Sequence, residues 1–184
     1  MPQPRTAPQP APADTATTAT TATAPKARIY AMLDTDGDGV ASRHDYFVRI
    51  ERARQATGRS HDDPLVVAAL TAGERAWAAM DANGDGVMTY EEYAAWVDAD
   101  KFDNVCRYAL GALFDLADAD QDGALDRSQF TALRQALGNR AGNADAAFDA
   151  LDGDGDGRVG RVEYLASIRA FVTGDGSPMG EALY

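Results

Sequence analysis

The stretch Asp81-Ala82-Asn83-Gly84-Asp85-Gly86-Val87-Met88-Thr89-Tyr90-Glu91-Glu92 decides the fold. Oxygen-bearing side chains stand at its first, third, fifth and twelfth positions, glycine at its sixth and an apolar residue at its eighth. A hard cation wants six to eight oxygens, and a loop of this length can wrap one. Asp81, Asn83 and Asp85 offer side-chain oxygens, Val87 its carbonyl and Glu92 a bidentate carboxylate, while Thr89 lies near a water position. Gly86 permits the sharp turn. The set suits Ca²⁺, and Met88 can pair with a partner loop.

The pattern recurs on both sides. In 152–163, Asp152, Asp154 and Asp156 stand at positions 1, 3 and 5, followed by Gly157, the Arg158 carbonyl and Glu163, with Val159 at position 8 and Gly160 leaving position 9 to water. In 34–45, Asp34, Asp36, Asp38, Gly39 and the Val40 carbonyl are in place, but the last ligand is Asp45, one methylene shorter than glutamate. The shorter reach predicts reduced Ca²⁺ affinity or selectivity and favours Mg²⁺ as a competitor. Ala41 at position 8 predicts weaker pairing between loops than valine or methionine would give. In 118–129, Asp118, Asp120, Asp122, Gly123 and the Ala124 carbonyl are kept, yet Gln129 replaces the final anion with one neutral amide oxygen. Asp126 at position 9 compensates only in part, so this loop is expected to be empty or weakest. The expectation is three Ca²⁺ ions, held most strongly by 81–92 and 152–163.

Each loop is flanked by apolar residues at helical spacing. Leu65, Ala69, Ala72, Ala76 and Met80 fall on one face before the second loop, and Asp63-Pro64 supplies a cap and a first-turn proline. Tyr46, Ile50 and Ala53 follow the first loop until Gly58 stops the run, and Tyr93, Trp96 and Val97 follow the second. Val105 to Ala117 and Phe130 to Leu137 bracket the third, and Asn143 can cap the helix entering the fourth. Tyr164, Ile168, Phe171 and Val172 leave it. These stripes read as core. The predicted fold is all-α, built of four helix-loop-helix units.

Charge agrees with the loops. The net charge is -12, and 16 of the 29 acidic residues lie in the four 12-residue segments. An acid excess of this size repels nucleic acid and anionic membrane surfaces and favours cations. Residues 1–25 hold 6 Pro, 7 Ala and 7 Thr and are expected to form a disordered tail. They lack the apolar core of a secretory signal, and charged residues interrupt every later apolar run, so a cytoplasmic location is expected by default. Cys106 is the single cysteine and sits in an apolar helical pattern, which makes it a buried structural thiol. His44 and His61 have no spaced partner for a metal or a triad, so no catalytic residue is assigned and the chain is not read as an enzyme.

On these four loops the sequence resembles the EF-hand superfamily over residues 27–172. The linkers between successive loops are 35, 25 and 22 residues long. That long first gap is unlike calmodulin and similar to the sarcoplasmic calcium-binding proteins and the bacterial calerythrin. The Ala- and Arg-rich, Lys-poor composition is similar to that of proteins from GC-rich actinobacteria. The resemblance implies two EF-hand pairs, 26–103 and 104–172, packed face to face into one globule, with 173–184 as a C-terminal tail. It also implies a family in which one or more loops commonly fail to bind.

Two roles stay open. A monomeric Ca²⁺ buffer or store is the first, with binding coupled to folding. A Ca²⁺ sensor that regulates a partner protein is the alternative, although only Met32, Met80 and Met88 lie within the repeats, which is little for a methionine-lined groove.

Overall fold

The chain is described from a computed structural model, for residues 25–139 and 143–174. The expected N-terminal tail, apart from Pro25, and most of the C-terminal tail lie outside the described residues, as do residues 140–142 of the expected helix breaker.

Helix, Asp-rich loop and helix alternate along the chain. Helix α1 (Pro25–Leu33) leads into the first loop, whose end forms the two-residue strand β1 (Ala41–Ser42) and runs into α2 (Arg43–Thr57). Gly58 ends α2 in the left-handed conformation, with its N–H directed at the Arg54 and Gln55 carbonyls. Helix α3 (Pro64–Met80) starts as expected, with the Asp63 side chain accepting from Leu65 N. The second loop contains β2 (Val87–Met88), followed by α4 (Tyr90–Trp96).

After α4 the helical run expected from Val105 to Ala117 begins earlier and less regularly. Asp98 caps a short α5 (Ala99–Lys101), which continues through a π-helical stretch, Phe102–Cys106, into α6 (Arg107–Ala117). The third loop holds β3 (Ala124–Asp126) and is followed by α7 (Arg127–Ala136). Helix α8 (Ala144–Leu151), the last loop with β4 (Arg158–Gly160), and α9 (Arg161–Thr173) complete the described chain. Asn143 occupies the cap position of α8, but its side chain makes no capping hydrogen bond there.

The loops meet in pairs as antiparallel ribbons. Strand β1 pairs with β2, with Ala41 opposite Met88, and β3 pairs with β4, with Leu125 opposite Val159. The second ribbon buries two branched side chains, and the first buries an alanine against Met88. Tyr30 strengthens the first ribbon, because its hydroxyl donates to Met88 O at 2.7 Å and accepts from Ala41 N at 3.1 Å. The aromatic hydroxyl thus offsets some of the grip that alanine gives up.

Two apolar clusters form, and neither is confined to one half of the chain. Ile50, Ala53, Val66 and Ala69 join Phe114, Phe130, Phe148 and Tyr164. Val172, from the last helix, joins Tyr30, Tyr46, Trp77 and Tyr93. Helix α3 packs along α6, while α2 packs on α3, α6 and α7. Helix α3 comes close to α2 at Gly73, where an added Cβ would come within 2.9 Å of Ile50 Cδ1.

Candidate metal-binding loops

Each loop is shaped by its own aspartates before any ion is considered. In the first, the Asp34 carboxylate accepts from Gly37 N at 2.8 Å and Gly39 N at 3.0 Å. In the second, Asp81 accepts from Gly84, Asp85 and Gly86 N–H groups. Asp118 and Asp152 accept from Gly123 and Gly157 N–H groups at 2.8 and 3.1 Å. The position-1 carboxylate therefore curls the chain back upon itself, and the side chains at positions 3 and 5 follow inward.

Three carboxylate clusters result: Asp34, Asp36 and Asp38; Asp118, Asp120 and Asp122; and Asp152, Asp154 and Asp156. In each, one oxygen per residue lies within 4.8 Å of the others. The second loop is built alike with an amide in place of one acid, since Asn83 stands between Asp81 and Asp85. Oxygen-only sets of this kind suit Ca²⁺ or Mg²⁺ rather than softer metals. The Oδ1 atoms of Asp118 and Asp152 are buried with no hydrogen-bond partner among the described residues. A buried carboxylate oxygen without a donor is costly, and a cation would satisfy it.

The four position-12 residues differ. Glu92 uses one carboxylate oxygen to cap α4, accepting from Thr89 N at 2.9 Å, and its other oxygen accepts from Asn83 Nδ2 at 3.0 Å. It thus already bridges the cap and the loop interior. Glu163 follows Gly160, a cap residue without a side chain, and its carboxylate occupies the space where a Cβ at Gly160 would stand. Both Glu92 and Glu163 are exposed at the loop mouth.

Asp45 is bound up instead. One oxygen accepts from Ser42 N and Oγ, the other from Thr35 N and Oγ1, and the residue is only 1% exposed. Burial acts to raise its carboxyl, but the Ser42 and Thr35 hydrogen bonds outweigh it and hold the group down at about 2. Thr35, which sequence reading passed over, is what occupies the second oxygen.

Gln129 repeats the cap and reverses the chemistry. Its Oε1 accepts from Asp126 N at 2.9 Å, which leaves Nε2 to donate to Asp120 Oδ1 at 3.0 Å. A second cation-like partner arrives from the neighbouring loop, where the Arg158 guanidinium pairs with Asp122 Oδ2. At position 4 this loop carries Gln121 at φ 58, where the other three have glycine. A side chain in the left-handed region is strained.

The residues expected to offer main-chain carbonyls lie where the loops turn. Val40, Val87 and Arg158 donate their N–H groups to Asp38, Asp85 and Asp156, at 3.0, 3.1 and 2.9 Å. His44 is exposed, as its loop position implied.

Comparison with known proteins agrees with this construction. The EF hand family profile matches residues 110–131 and 144–164. Among proteins of curated function no match is found. A Streptomyces coelicolor calcium-binding protein, described in terms of prokaryotic calcium-mediated regulation, is 29% identical with a TM-score of 0.68, over 81% of this chain and 98% of that one. The coelenterazine-binding protein of Renilla muelleri in its Ca-loaded apo form (22% identity, TM-score 0.60, 87% and 92% covered) shares the fold. So does the Ca²⁺-regulated photoprotein mitrocomin of Mitrocoma cellularia (19%, 0.68, 87% and 89%).

The chain belongs to the EF-hand superfamily: it is an all-helical calcium-binding protein with several helix-loop-helix units. Within that superfamily it is related to calerythrin and the sarcoplasmic calcium-binding proteins. Among the described residues no helix is long and apolar enough to cross a membrane.

Proposed function

We propose that this chain is a Ca²⁺-responsive regulatory protein of four EF-hands, arranged as the pairs 26–103 and 104–172 within one globule. The observation that carries the regulatory role is the 29% identity, over nearly the whole of that protein, to a calcium-binding protein described in terms of calcium-mediated regulation. The two ribbons and the cores shared between the halves support the paired arrangement, because a change in one pair reaches the other through packed side chains.

In this reading the ions are held by Asp81, Asn83, Asp85, Val87 O and Glu92, by Asp152, Asp154, Asp156, Arg158 O and Glu163, and less tightly by Asp34, Asp36, Asp38, Val40 O and Asp45. Loop 34–45 is open to Mg²⁺, and loop 118–129 is impaired by Gln129 and Arg158. Three bound Ca²⁺ ions would cancel half of the net charge of -12. Loss of that self-repulsion would favour a tighter fold in the ion-bound state.

The second reading is a monomeric cytoplasmic buffer. It is favoured by the burial of Met80 and Met88 within the core and first ribbon, where they line no exposed groove. A Ca²⁺ titration followed by naphthalene-sulfonate (ANS) fluorescence tests the choice. A regulator should gain ANS binding as Ca²⁺ fills its sites, by exposure of apolar surface. Tight sites with unchanged or falling ANS fluorescence would overturn the regulatory reading and leave the buffer.

A further inference from the structure

A cavity of about 100 Å³ lies against both apolar clusters, with Tyr46, Tyr93, Phe102, Tyr164 and Phe171 among its walls. Into this apolar lining come two guanidinium groups, Arg49 from α2 and Arg134 from α7. Arg49 is 7% exposed and Arg134 is 2% exposed.

Arg49 is the more telling of the two. Its Nε donates to Tyr46 O at a long 3.4 Å, and its Cζ stands 4.6 Å from the centroid of the Tyr46 ring. Among the described residues no carboxylate lies within ion-pair distance of it. The titratable groups that face it are the Tyr46, Tyr93 and Tyr164 phenols and the Cys106 thiol, and burial raises Tyr46, Tyr164 and Cys106 above their ordinary values. A guanidinium carries five N–H donors in a planar fork, and only one is used here by a described hydrogen bond. Burying such a charge without a partner is expensive, and a ring face recovers a small part of that cost.

We propose that this cavity is a binding site for a small organic monoanion, with a carboxylate on the Arg49 fork and an apolar body against the aromatic walls. Arg–carboxylate recognition of this kind is bidentate and charge-assisted, and it strengthens where water is excluded. An apolar cavity of about 150 Å³ accepts benzene, so the smaller volume here sets the apolar body of the ligand at about four carbons.

The protein is titrated calorimetrically with pentanoate, a carboxylate on a four-carbon body, and with 1-pentanol, once in EGTA and once in excess Ca²⁺. Pentanoate is expected to bind at one site in at least one condition, and pentanol about tenfold or more weaker. Arg49→Met, which keeps a long apolar side chain, is expected to lose about tenfold or more in pentanoate affinity with pentanol unchanged. Circular dichroism checks its fold. If Arg49→Met does not fold, Arg49→Lys, which keeps the charge and loses the fork, is expected to weaken pentanoate binding by a smaller factor. Equal binding of acid and alcohol, no pentanoate binding in either condition, or unchanged binding in the folded variants overturns the proposal.

Discussion

Gln129 Nε2 donates to Asp120 Oδ1 at 3.0 Å because Gln129 Oε1 is already committed to Asp126 N. Glu92 meets the same two demands with two identical oxygens, one on Thr89 N and one facing Asn83. An amide has one oxygen and one NH₂, so serving the cap turns a donor toward the ion position. Flipping the amide would aim a donor at the Asp126 N–H instead. The proposed defect is therefore one of polarity, with the side chain already in position.

Gln129→Glu should then need no rearrangement to create a ligand. The substituted carboxylate keeps the helix cap and presents its second oxygen to Asp118, Asp120 and Asp122. Calorimetry should show the affinity of this loop rising by about tenfold or more, or about 1.4 kcal/mol and upward. An unchanged isotherm would place the defect elsewhere.

Arg158 supplies a second competitor for the carboxylates of loop 118–129, from the opposite strand of the ribbon. Its guanidinium pairs with Asp122, while its own carbonyl is the position-7 group of loop 152–163. Arg158→Ala removes the competing cation and leaves the carbonyl in place. Ca²⁺ affinity at 118–129 should rise about several-fold, with 152–163 little changed and the salt dependence of the weak site reduced. Loss of affinity at 152–163 instead would mean that the side chain supports its own loop.

Gly73 offers a stability test in which two ordinary rules oppose each other. Replacing a mid-helix glycine with alanine normally stabilises a helix by about 1 kcal/mol. At this position the new Cβ would stand 2.9 Å from Ile50 Cδ1 and 3.4 Å from a Phe47 ring atom, and Ile50 is fully packed. Overpacking costs about 1–3 kcal/mol, so the steric term should win. Gly73→Ala should lower the urea midpoint, and a raised midpoint would show that α2 and α3 separate easily.

What was legible in the sequence was local. The clusters Asp34/Asp36/Asp38 and Asp152/Asp154/Asp156 form because carboxylates and glycine N–H groups two to five residues apart fold onto each other, and spacing alone encodes that. Gly58 and Asp63-Pro64 act within one helical turn and were equally readable. What escaped was long-range or counter to type. Arg158 reaches Asp122 across 36 residues, and nothing in either loop announces it. The fold buries Arg49 and Arg134, and nothing in the loop spacing or the apolar stripes marks either for burial. Thr35 falls outside the ligand pattern, although its hydroxyl and N–H help decide how Asp45 is held.

Cys106 ends the π-helical stretch and is half-buried beside apolar side chains, and burial pushes its thiol up to about 12. The Arg49 charge acts in the opposite direction and is outweighed. The thiolate is the reactive form, so the folded protein at pH 8 should react with a disulfide reagent far more slowly than the same chain in urea. The sign of the linkage follows from the raised value. The group's contribution to stability is fully present below the unfolded thiol value near 9, and is lost as pH rises from there through about 12. Urea unfolding at pH 8, 10 and 11 should therefore show falling stability that Cys106→Ser, whose hydroxyl does not ionise in this range, makes shallower. Rapid thiol labelling of the folded chain at pH 8, or identical alkaline profiles for both proteins, would contradict a buried, protonated Cys106.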